Sequence, residues 1–359
     1  MRPITSKLRL PLKRPKKGTE AGGARFSPLP PLRENPGKLG GWVYVPPGLT
    51  GPAPLVVVLH GCTQDAAGYD RGSGWSTLAE RHGFILLFPE QSRANNQMLC
   101  FNWFTANDSQ RGMGEAASIK AMVDAVKKAH AVDAERVFVT GLSAGGAMAA
   151  VMLAAYPEVF SAGAIIAGVP YGCASGVSEA FDCMGGRARS DAQELGRAVR
   201  RASPHKGPWP RVQVWQGTAD HTVVPSNADA VVLQWADLHG LDPALARADQ
   251  ADGHMRRTWV NGSGQTVIEQ YTVSGMGHGV PLDPRGDGAL GEAGAHMLDV
   301  GLDSTARIAA FFGIAPEAAA KAKAEKNVRS SAVPRRRSEA ASGPQAVIEK
   351  ALRTAGLLR

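Results

Sequence analysis

The chain has 359 residues, of which 44% are apolar and 20% are charged, and its formal net charge is +8. That apolar fraction is ordinary for a globular enzyme, and no apolar run approaches the roughly 18 residues that a membrane helix needs. The composition therefore excludes a protein embedded in a membrane and allows one large domain or two modest ones.

The positive charge lies at the two ends of the sequence. Residues 1–33 hold nine Lys and Arg against one Glu, and residues 314–359 hold ten against four, which leaves about −6 for the stretch between them. We predict a disordered basic arm over 1–33, a folded domain over 38–313 and a basic Ala/Lys/Arg-rich tail over 314–359. Aromatic residues do not interleave with the basic runs at 13–17 and 335–337, so specific nucleic-acid binding is not expected.

The predicted domain alternates between strands and helices. In chain order the pattern predicts a strand at 41–48, a buried strand at 54–61, a helix ending at Gly83, a buried strand at 84–90, a helix within 112–135, a buried strand at 136–141, a helix at 143–157, a strand at 161–168, a strand at 211–217, a helix at 226–240, a hairpin at 255–273 and a closing helix at 305–313. The alternation favours an α/β fold with a mostly parallel central sheet and helices on both faces. Residues 170–210 form a long excursion between two strands, and we expect a lid or a pocket wall there.

The sequence GLSAG at 141–145 joins a β-branched strand to a helix of small residues. A G-x-S-x-G match alone is weak, but this strand–turn–helix setting is typical of a nucleophile elbow, in which the serine is held on a sharp turn. Gly141 and Gly145 lack side chains, so they avoid the clash that a Cβ at either position would make with the neighbouring strand and helix. We predict that Ser143 is a nucleophile; the alternative is an ordinary helix N-cap serine.

A serine nucleophile needs a base and an orienting acid, which follow it in this architecture in the order Ser, acid, His. Asp220 lies three residues past the strand that ends near Gly217, and His278 follows the last strand between two glycines. We predict that Asp220 is the acid and His278 the base. Other His and Asp residues are expected to be neither the acid nor the base. The side chain of His221 points away from that of its neighbour Asp220, His254 precedes the hairpin, and His296 lies on a predicted helix. Asp229 and Asp237 are expected to be solvated charges on a helix.

Hydrolysis through such a serine also needs two backbone N–H groups that bind the developing oxyanion. Ala144, the residue after the nucleophile, is expected to supply one. Gly61 allows a sharp turn after the early strand, so the N–H of Cys62 is expected to supply the other, with His60 as a hydrogen-bonded organiser of that loop. The sequence lacks a G-x-G-x-x-G loop after its first strand, an H-E-x-x-H motif and a C-x-x-C pair, so neither cofactor nor metal is expected.

Six motifs together resemble the polyhydroxybutyrate depolymerase family of esterases, whose other members include acetylxylan and feruloyl esterases. In chain order they are LHGCTQ, CFNWF, GLSAGGAM, AGVPYGCA, GTADHTVVP and GMGHGVP. The resemblance covers roughly 40–313 and implies an α/β-hydrolase fold with the triad and oxyanion donors named above. It also implies that Trp103 of CFNWF forms a pocket wall, although a core aromatic is an equal alternative.

The resemblance further implies the disulfide pairs Cys62–Cys100 and Cys173–Cys183. The residues alone leave the four cysteines open, since they suit two disulfides in an oxidising compartment or free thiols in the cytosol. The absence of a recognisable signal peptide favours the cytoplasm, and an extracellular location, as for many family members, is the alternative.

We therefore expect a serine carboxylesterase that hydrolyses short-chain polyhydroxyalkanoate, poly-3-hydroxybutyrate or its oligomers, through an acyl-enzyme. One alternative is an acetylxylan or feruloyl esterase acting on plant cell-wall esters. Another is a non-catalytic protein that binds polymer granules or polyanions. The expected partner is the ester substrate, and the basic tails are expected to contact a polymer granule or an anionic surface.

Overall fold

The computed structural model describes residues 25–187, 191–285 and 288–316. Most of the predicted arm and tail therefore lies outside the described residues. The predicted arm nevertheless ends too late, because Ser27–Pro28 pairs with the sheet and Leu29 and Leu32 pack against the core. Within the described residues, no helix has both the length and the apolarity needed to cross a membrane.

The described residues form one ten-stranded sheet and one small two-stranded sheet. The strands are β1 (Ser27–Pro28), β2 (Gly40–Tyr44), β3 (Ala53–Leu59), β4 (Ile85–Glu90), β5 (Val132–Leu142), β6 (Ala162–Ile166), β7 (Arg211–Gly217), β8 (Arg247–Ala251), β9 (His254–Val260), β10 (Thr266–Val273), β11 (Val280–Leu282) and β12 (Met297–Asp299). The large sheet has the order β1-β2-β4-β3-β5-β6-β7-β10-β9-β8, and the small one pairs β11 with β12. The six central strands, from β4 to β10, run parallel, and the outer pairs are antiparallel.

Helices cover both faces of the large sheet. They are α1 (Ala66–Ser73), α2 (Trp75–His82), α3 (Ala106–Ser109), α4 (Gly114–Ala129), α5 (Ala144–Ala155), α6 (Val177–Met184), α7 (Ala192–Ala202), α8 (Ser226–His239) and α9 (Ser304–Phe312), with a 3₁₀ turn at Pro243–Leu245. One hydrophobic cluster packs α4, α5 and α8 against one face, and a second packs α1, α2 and α9 against the other.

The strand β3 illustrates why the central strands are continuously apolar. Leu55, Val57 and Leu59 belong to the first cluster, and Val56 and Val58 to the second. Successive side chains of a strand point to opposite faces, so a strand covered on both faces needs apolar residues at every position. The predicted α/β fold with helices on both faces is confirmed.

The excursion over 170–210 contains two helices that the sequence analysis did not resolve. Helix α6 contributes Val177, Ala180, Phe181 and Met184 to the wall of a cavity, and α7 packs against α8. The described part of the excursion thus includes the pocket wall that its length suggested.

The parallel direction of the central strands determines where the site forms. The carboxyl ends of parallel strands meet at one edge of a sheet, and ligand sites of open α/β sheets lie at that edge. The loops after β3, β5, β7 and β10 therefore converge, and these loops carry Cys62, Ser143, Asp220 and His278.

Candidate active site

Ser143 lies on a strained turn between β5 and α5. Its φ and ψ are 58° and −118°, a backbone conformation that non-glycine residues rarely adopt. The N–H of Ser143 donates to the carbonyl of Ile166 at 2.9 Å, which ties the turn to β6. This geometry is typical of a nucleophile elbow. The side chain of Ser143 does not cap α5, because it makes no cap hydrogen bond, and Ser143 lines a cavity.

Two glycines permit the turn because backbone atoms occupy the space that their Cβ atoms would need. A Cβ at Gly145 would lie 2.3 Å from the carbonyl oxygen of Leu59 and 2.5 Å from that of His60. A Cβ at Gly141 would lie 2.4 Å from the carbonyl oxygen of Gly145. The expected steric role of both glycines is confirmed, and it brings the β3 loop against the start of α5.

Asp220 and His278 lie in loops that follow two adjacent parallel strands, β7 and β10. The loops are hydrogen-bonded to each other, with the N–H of Ala219 donating to the carbonyl of Met276 at 2.9 Å and the N–H of Gly275 to Thr218 Oγ1 at 2.8 Å. As a result, His278 Nδ1 lies 2.8 Å from Asp220 Oδ2. This is the contact by which a carboxylate orients a catalytic imidazole and leaves its Nε2 free to accept a proton.

The carboxylate of Asp220 is 1% exposed, and both of its oxygens are hydrogen-bonded. Oδ1 accepts from the N–H groups of Thr222 and Val223, each at 2.9 Å. Oδ2 accepts from His278 and from Gln216 Nε2, the latter at 3.1 Å. The side chain is therefore fixed in one orientation before any substrate binds.

The loop after β3 is organised by a buried histidine. His60 Nδ1 donates to the carbonyl of Gly61 at 2.8 Å, and His60 Nε2 accepts from the N–H of Gln91 at 3.1 Å. Burial lowers the pKa of His60, which favours the neutral imidazole that this donor–acceptor pattern requires. Both ring nitrogens are engaged, which is consistent with His60 organising the loop and not acting as a second base.

A cavity of about 660 Å³ opens at this edge of the sheet. It contains Ser143, Ala144, Cys62, Trp103 and His278, with Asp220 buried directly behind His278. The remaining wall is mostly apolar, including Leu142, Val169, Phe104 and the α6 side chains, and Gln64 and residues 95–97 add polar side chains to it. The structure thus assembles at one place every residue that the sequence analysis selected, while their catalytic roles stay predictions.

The competing residues lie elsewhere, with one exception. His221 is exposed, His254 begins β9, and Asp229 and Asp237 form ion pairs with Arg257 and Arg200. The prediction of a helix at His296 is wrong: this residue has φ 61° and immediately precedes β12, which pairs with β11. His296 lines the cavity, and its Nδ1 donates to the carbonyl of His278 at 3.1 Å.

Two buried polar residues near the site, Gln216 and Glu115, were not predicted from the sequence. Gln216 lies in the fully buried part of β7, and Glu115 is 0% exposed at the start of α4. Each could have been found by its position, since Gln216 interrupts an apolar strand and Glu115 falls on the apolar face that Ile119, Met122 and Val126 define. A polar group on a core-facing position needs partners, and such groups often serve a site.

The four cysteines form the disulfides Cys62–Cys100 and Cys173–Cys183. This is the pairing that the family resemblance implies. The first links the β3 loop to the segment that carries Trp103, and the second joins the start of the excursion to α6. Among the described residues, no group of three or more His, Cys, Asp or Glu side chains could hold a metal ion.

The fold and this site define an α/β-hydrolase of the esterase type. The structure of an acetyl xylan esterase from Aspergillus awamori superimposes with a TM-score of 0.68 at 25% identity, over 81% of this chain and 99% of that one. A family model described as esterase PHB depolymerase matches residues 39–257. The chain belongs to this esterase family of PHB depolymerases.

Curated relatives agree with that assignment. The chain is 46% identical over 283 residues to poly(3-hydroxyalkanoate) depolymerase C of Paucimonas lemoignei. The aligned region covers 78% of this chain and 68% of that protein. It is 32% identical over 259 residues to feruloyl esterase B of Talaromyces stipitatus, at 70% and 71% coverage. The protein is accordingly a serine hydrolase that acts on carboxylic esters.

Proposed function

We propose that this protein hydrolyses short-chain polyhydroxyalkanoate, poly-3-hydroxybutyrate or its oligomers, with Ser143, Asp220 and His278 as its catalytic triad. The observation that carries the proposal is the 2.8 Å contact between His278 Nδ1 and Asp220 Oδ2 beside a cavity that contains Ser143. The substrate class is supported by the 46% identity to a poly(3-hydroxyalkanoate) depolymerase.

In the first half of the reaction, His278 Nε2 removes the proton of Ser143 Oγ as this oxygen attacks the ester carbonyl carbon. The carbonyl π electrons move to oxygen, and the N–H groups of Cys62 and Ala144 bind the resulting oxyanion. Asp220 stabilises the imidazolium without taking its proton. Collapse of the tetrahedral intermediate breaks the carbon–oxygen bond to the alcohol, which leaves with the proton from His278.

In the second half, water replaces the alcohol. His278 Nε2 takes a proton from the water, whose oxygen attacks the acyl-enzyme carbonyl, and the same N–H groups bind the second oxyanion. Collapse releases the carboxylic acid and returns the proton to Ser143 Oγ. Each cycle consumes one ester bond and one water.

The chemistry of the cavity wall is suited to binding a short aliphatic acyl group. Apolar side chains bind methyl and methylene groups, and the polar side chains of Gln64 and residues 95–97 suit the additional ester groups of an oligomer. Trp103, 9% exposed at the wall, packs edge-on against Phe104, which supports its predicted role in shaping the pocket.

The test compares the wild type with Ser143→Ala on p-nitrophenyl butyrate, a 3-hydroxybutyrate trimer, amorphous poly-3-hydroxybutyrate and methyl ferulate. We expect turnover of the first three substrates and a loss of at least about 10⁴-fold with Ser143→Ala. The matched control is Ser263→Ala in the exposed β9–β10 turn, which should leave turnover unchanged. Hydroxybutyrate turnover that survives Ser143→Ala would contradict the assigned nucleophile.

The same panel separates the alternatives. The identity to feruloyl esterase B and the fold shared with an acetyl xylan esterase favour a cell-wall ester as the second candidate substrate. Turnover confined to methyl ferulate, or to an acetylated xylan added as a fifth substrate, would keep the mechanism and replace the substrate. No turnover of any ester would favour the non-catalytic, granule-binding alternative.

A further inference from the structure

Glu115 is a buried carboxyl group that the proposed reaction does not use. It lies in the first turn of α4 and is 0% exposed. Burial raises its pKa to about 8, and hydrogen bonds from Asn102 and Gln91 oppose this rise. Burying a carboxyl group is unfavourable unless its oxygens are well hydrogen-bonded, so its partners indicate what the group holds in place.

Three donors reach this carboxyl group, and all come from the segment between β4 and α3. Glu115 Oε2 accepts from the N–H of Asn102 at 2.7 Å. Glu115 Oε1 accepts from Asn102 Nδ2 at 2.8 Å and from Gln91 Nε2 at 2.6 Å. This segment, residues 91–104, also supplies Trp103, Phe104 and the polar side chains of residues 95–97 to the cavity wall.

The same segment is joined to the β3 loop by three further contacts. The N–H of Gln91 donates to His60, which in turn donates to the carbonyl of Gly61. The disulfide connects Cys100 to Cys62, and the carbonyl of Cys100 accepts from Gln91 Nε2 at 3.0 Å. The N–H of Thr63 donates to the carbonyl of Met98 at 2.6 Å.

These contacts form a continuous path from a buried carboxyl group to the expected oxyanion donor. Gly61, Cys62 and Thr63 are each held from the 91–104 segment, and that segment is held by Glu115. An oxyanion hole stabilises the transition state only if its donors are fixed before the reaction, and small displacements reduce the rate strongly.

We propose that Glu115 is a positioning residue that, through Gln91 and Asn102, fixes the Cys62 N–H for oxyanion binding without touching the substrate. The proposal rests on the proposed function, because it takes Cys62 as an oxyanion donor. It assigns Glu115 an effect on catalysis that is separate from its effect on folding.

The test replaces Glu115 with Gln and is run at about pH 9, above the pKa of about 8, where the carboxyl group is ionised. The substitution keeps the volume but turns one acceptor oxygen into an NH₂ donor that faces the donors of Gln91 and Asn102. On p-nitrophenyl butyrate we expect kcat to fall about tenfold, less than the loss from deleting an oxyanion donor, while KM changes less than about threefold. Butylboronic acid, which forms a tetrahedral adduct with the serine, should bind more weakly by a similar factor.

Two further variants guard against a merely structural effect or a failure to fold. Asn102→Ala removes one of the three donors and should lower kcat in the same direction by a smaller factor. Gln213→Leu is the matched control, since Gln213 is a buried amide that bonds Glu269 and Trp215 away from the cavity. It should lower the melting temperature while kcat and boronate affinity stay near the wild-type values.

The outcomes separate this proposal from the proposed function. If Glu115→Gln and Asn102→Ala lower only the melting temperature, with kcat and boronate affinity unchanged, Glu115 has no positioning role. A change confined to KM would overturn the proposal equally. Failure of the proposed function would be recognised without any Glu115 variant, as absent ester turnover in the wild type or as turnover that survives Ser143→Ala.

Discussion

Gln216 shows how a single side chain can orient Asp220, the acid of the proposed triad. Its Nε2 donates to Asp220 Oδ2 and also to the carbonyl of Val223 at 3.0 Å. Gln216 therefore fixes two positions of the loop that follows β7. The oxygen it bonds on Asp220 is the one that faces His278. Its position in β7 therefore couples the strand to the orientation of the imidazole.

Replacing Gln216 with Leu should lower kcat about tenfold with little change in KM, because the acid loses one of its fixed donors and orients His278 less well. The measurement is steady-state turnover of p-nitrophenyl butyrate, together with the melting temperature. Gln234→Leu is a suitable control, since Gln234 is an equally buried amide that bonds Tyr171 and Leu195. An equal loss of kcat in both variants would show that the Gln216 effect is not specific to the acid.

The sequence predicts that Ser143, Asp220 and His278 lie together, which the structure shows, because the position of each is set by local chemistry; their catalytic roles stay predictions. Small residues surround Ser143, a strand end precedes Asp220, and glycines flank His278. The helix predicted at His296 is wrong, because local sequence does not determine the conformation there. The actual conformation of His296 depends on Met297 pairing with Val280, a contact that no local pattern reveals.

At the scale of elements, the cavity wall formed by α6 depends on a short cross-link. Cys173–Cys183 closes a loop with a sequence separation of 10 residues, and α6 lies within and beside it. A helix of eight residues is marginal on its own. The disulfide therefore restrains α6, which is too short to be stable as an isolated helix.

The double variant Cys173→Ser/Cys183→Ser should be less stable by about 2–3 kcal/mol, the chain-entropy effect of a loop of this size. Because α6 contributes Val177, Ala180, Phe181 and Met184 to the cavity wall, we expect KM for p-nitrophenyl butyrate to rise more than kcat falls. Denaturant unfolding and steady-state kinetics measure the two effects. Unaltered KM in a variant with lowered stability would mean that α6 holds its place without the disulfide.

The central elements were predictable, and the excursion was not, for a physical reason. Strand β3 and residues 137–142 of β5 are buried on both faces, so their composition alone predicts them. Helices α6 and α7 are short and partly exposed, and they hold their places through the disulfide and through packing on α8. Tertiary contacts of this kind leave little periodicity in the sequence.

At the scale of the whole molecule, charge is segregated between the body and the ends. We propose that the basic ends contact the surface of a polymer granule or another anionic surface, outside the cavity. We propose the extracellular alternative for location, because the two disulfides are bonds of a kind that persists in oxidising compartments.

Replacing the basic residues at 13–17 and 335–337 with Gln should reduce co-sedimentation with granules and its sensitivity to salt, because exposed charges act through screened electrostatics. Turnover of soluble p-nitrophenyl butyrate should be unchanged. Lys127→Gln/Lys128→Gln on α4 serves as a control for loss of surface charge. Granule binding that persists at full strength in the tail variant would contradict the proposed tether.

The two edge strands of the large sheet, β1 and β8, limit self-association through strand pairing. An open sheet exposes unpaired N–H and C=O groups at its outermost strands, and these can recruit a strand from another molecule. Here β1 is two residues long and ends in Pro28, which cannot donate, while β8 carries Arg247 and Asp249. Both borders therefore discourage strand addition, so the sheet can be wide without serving as a template for aggregation.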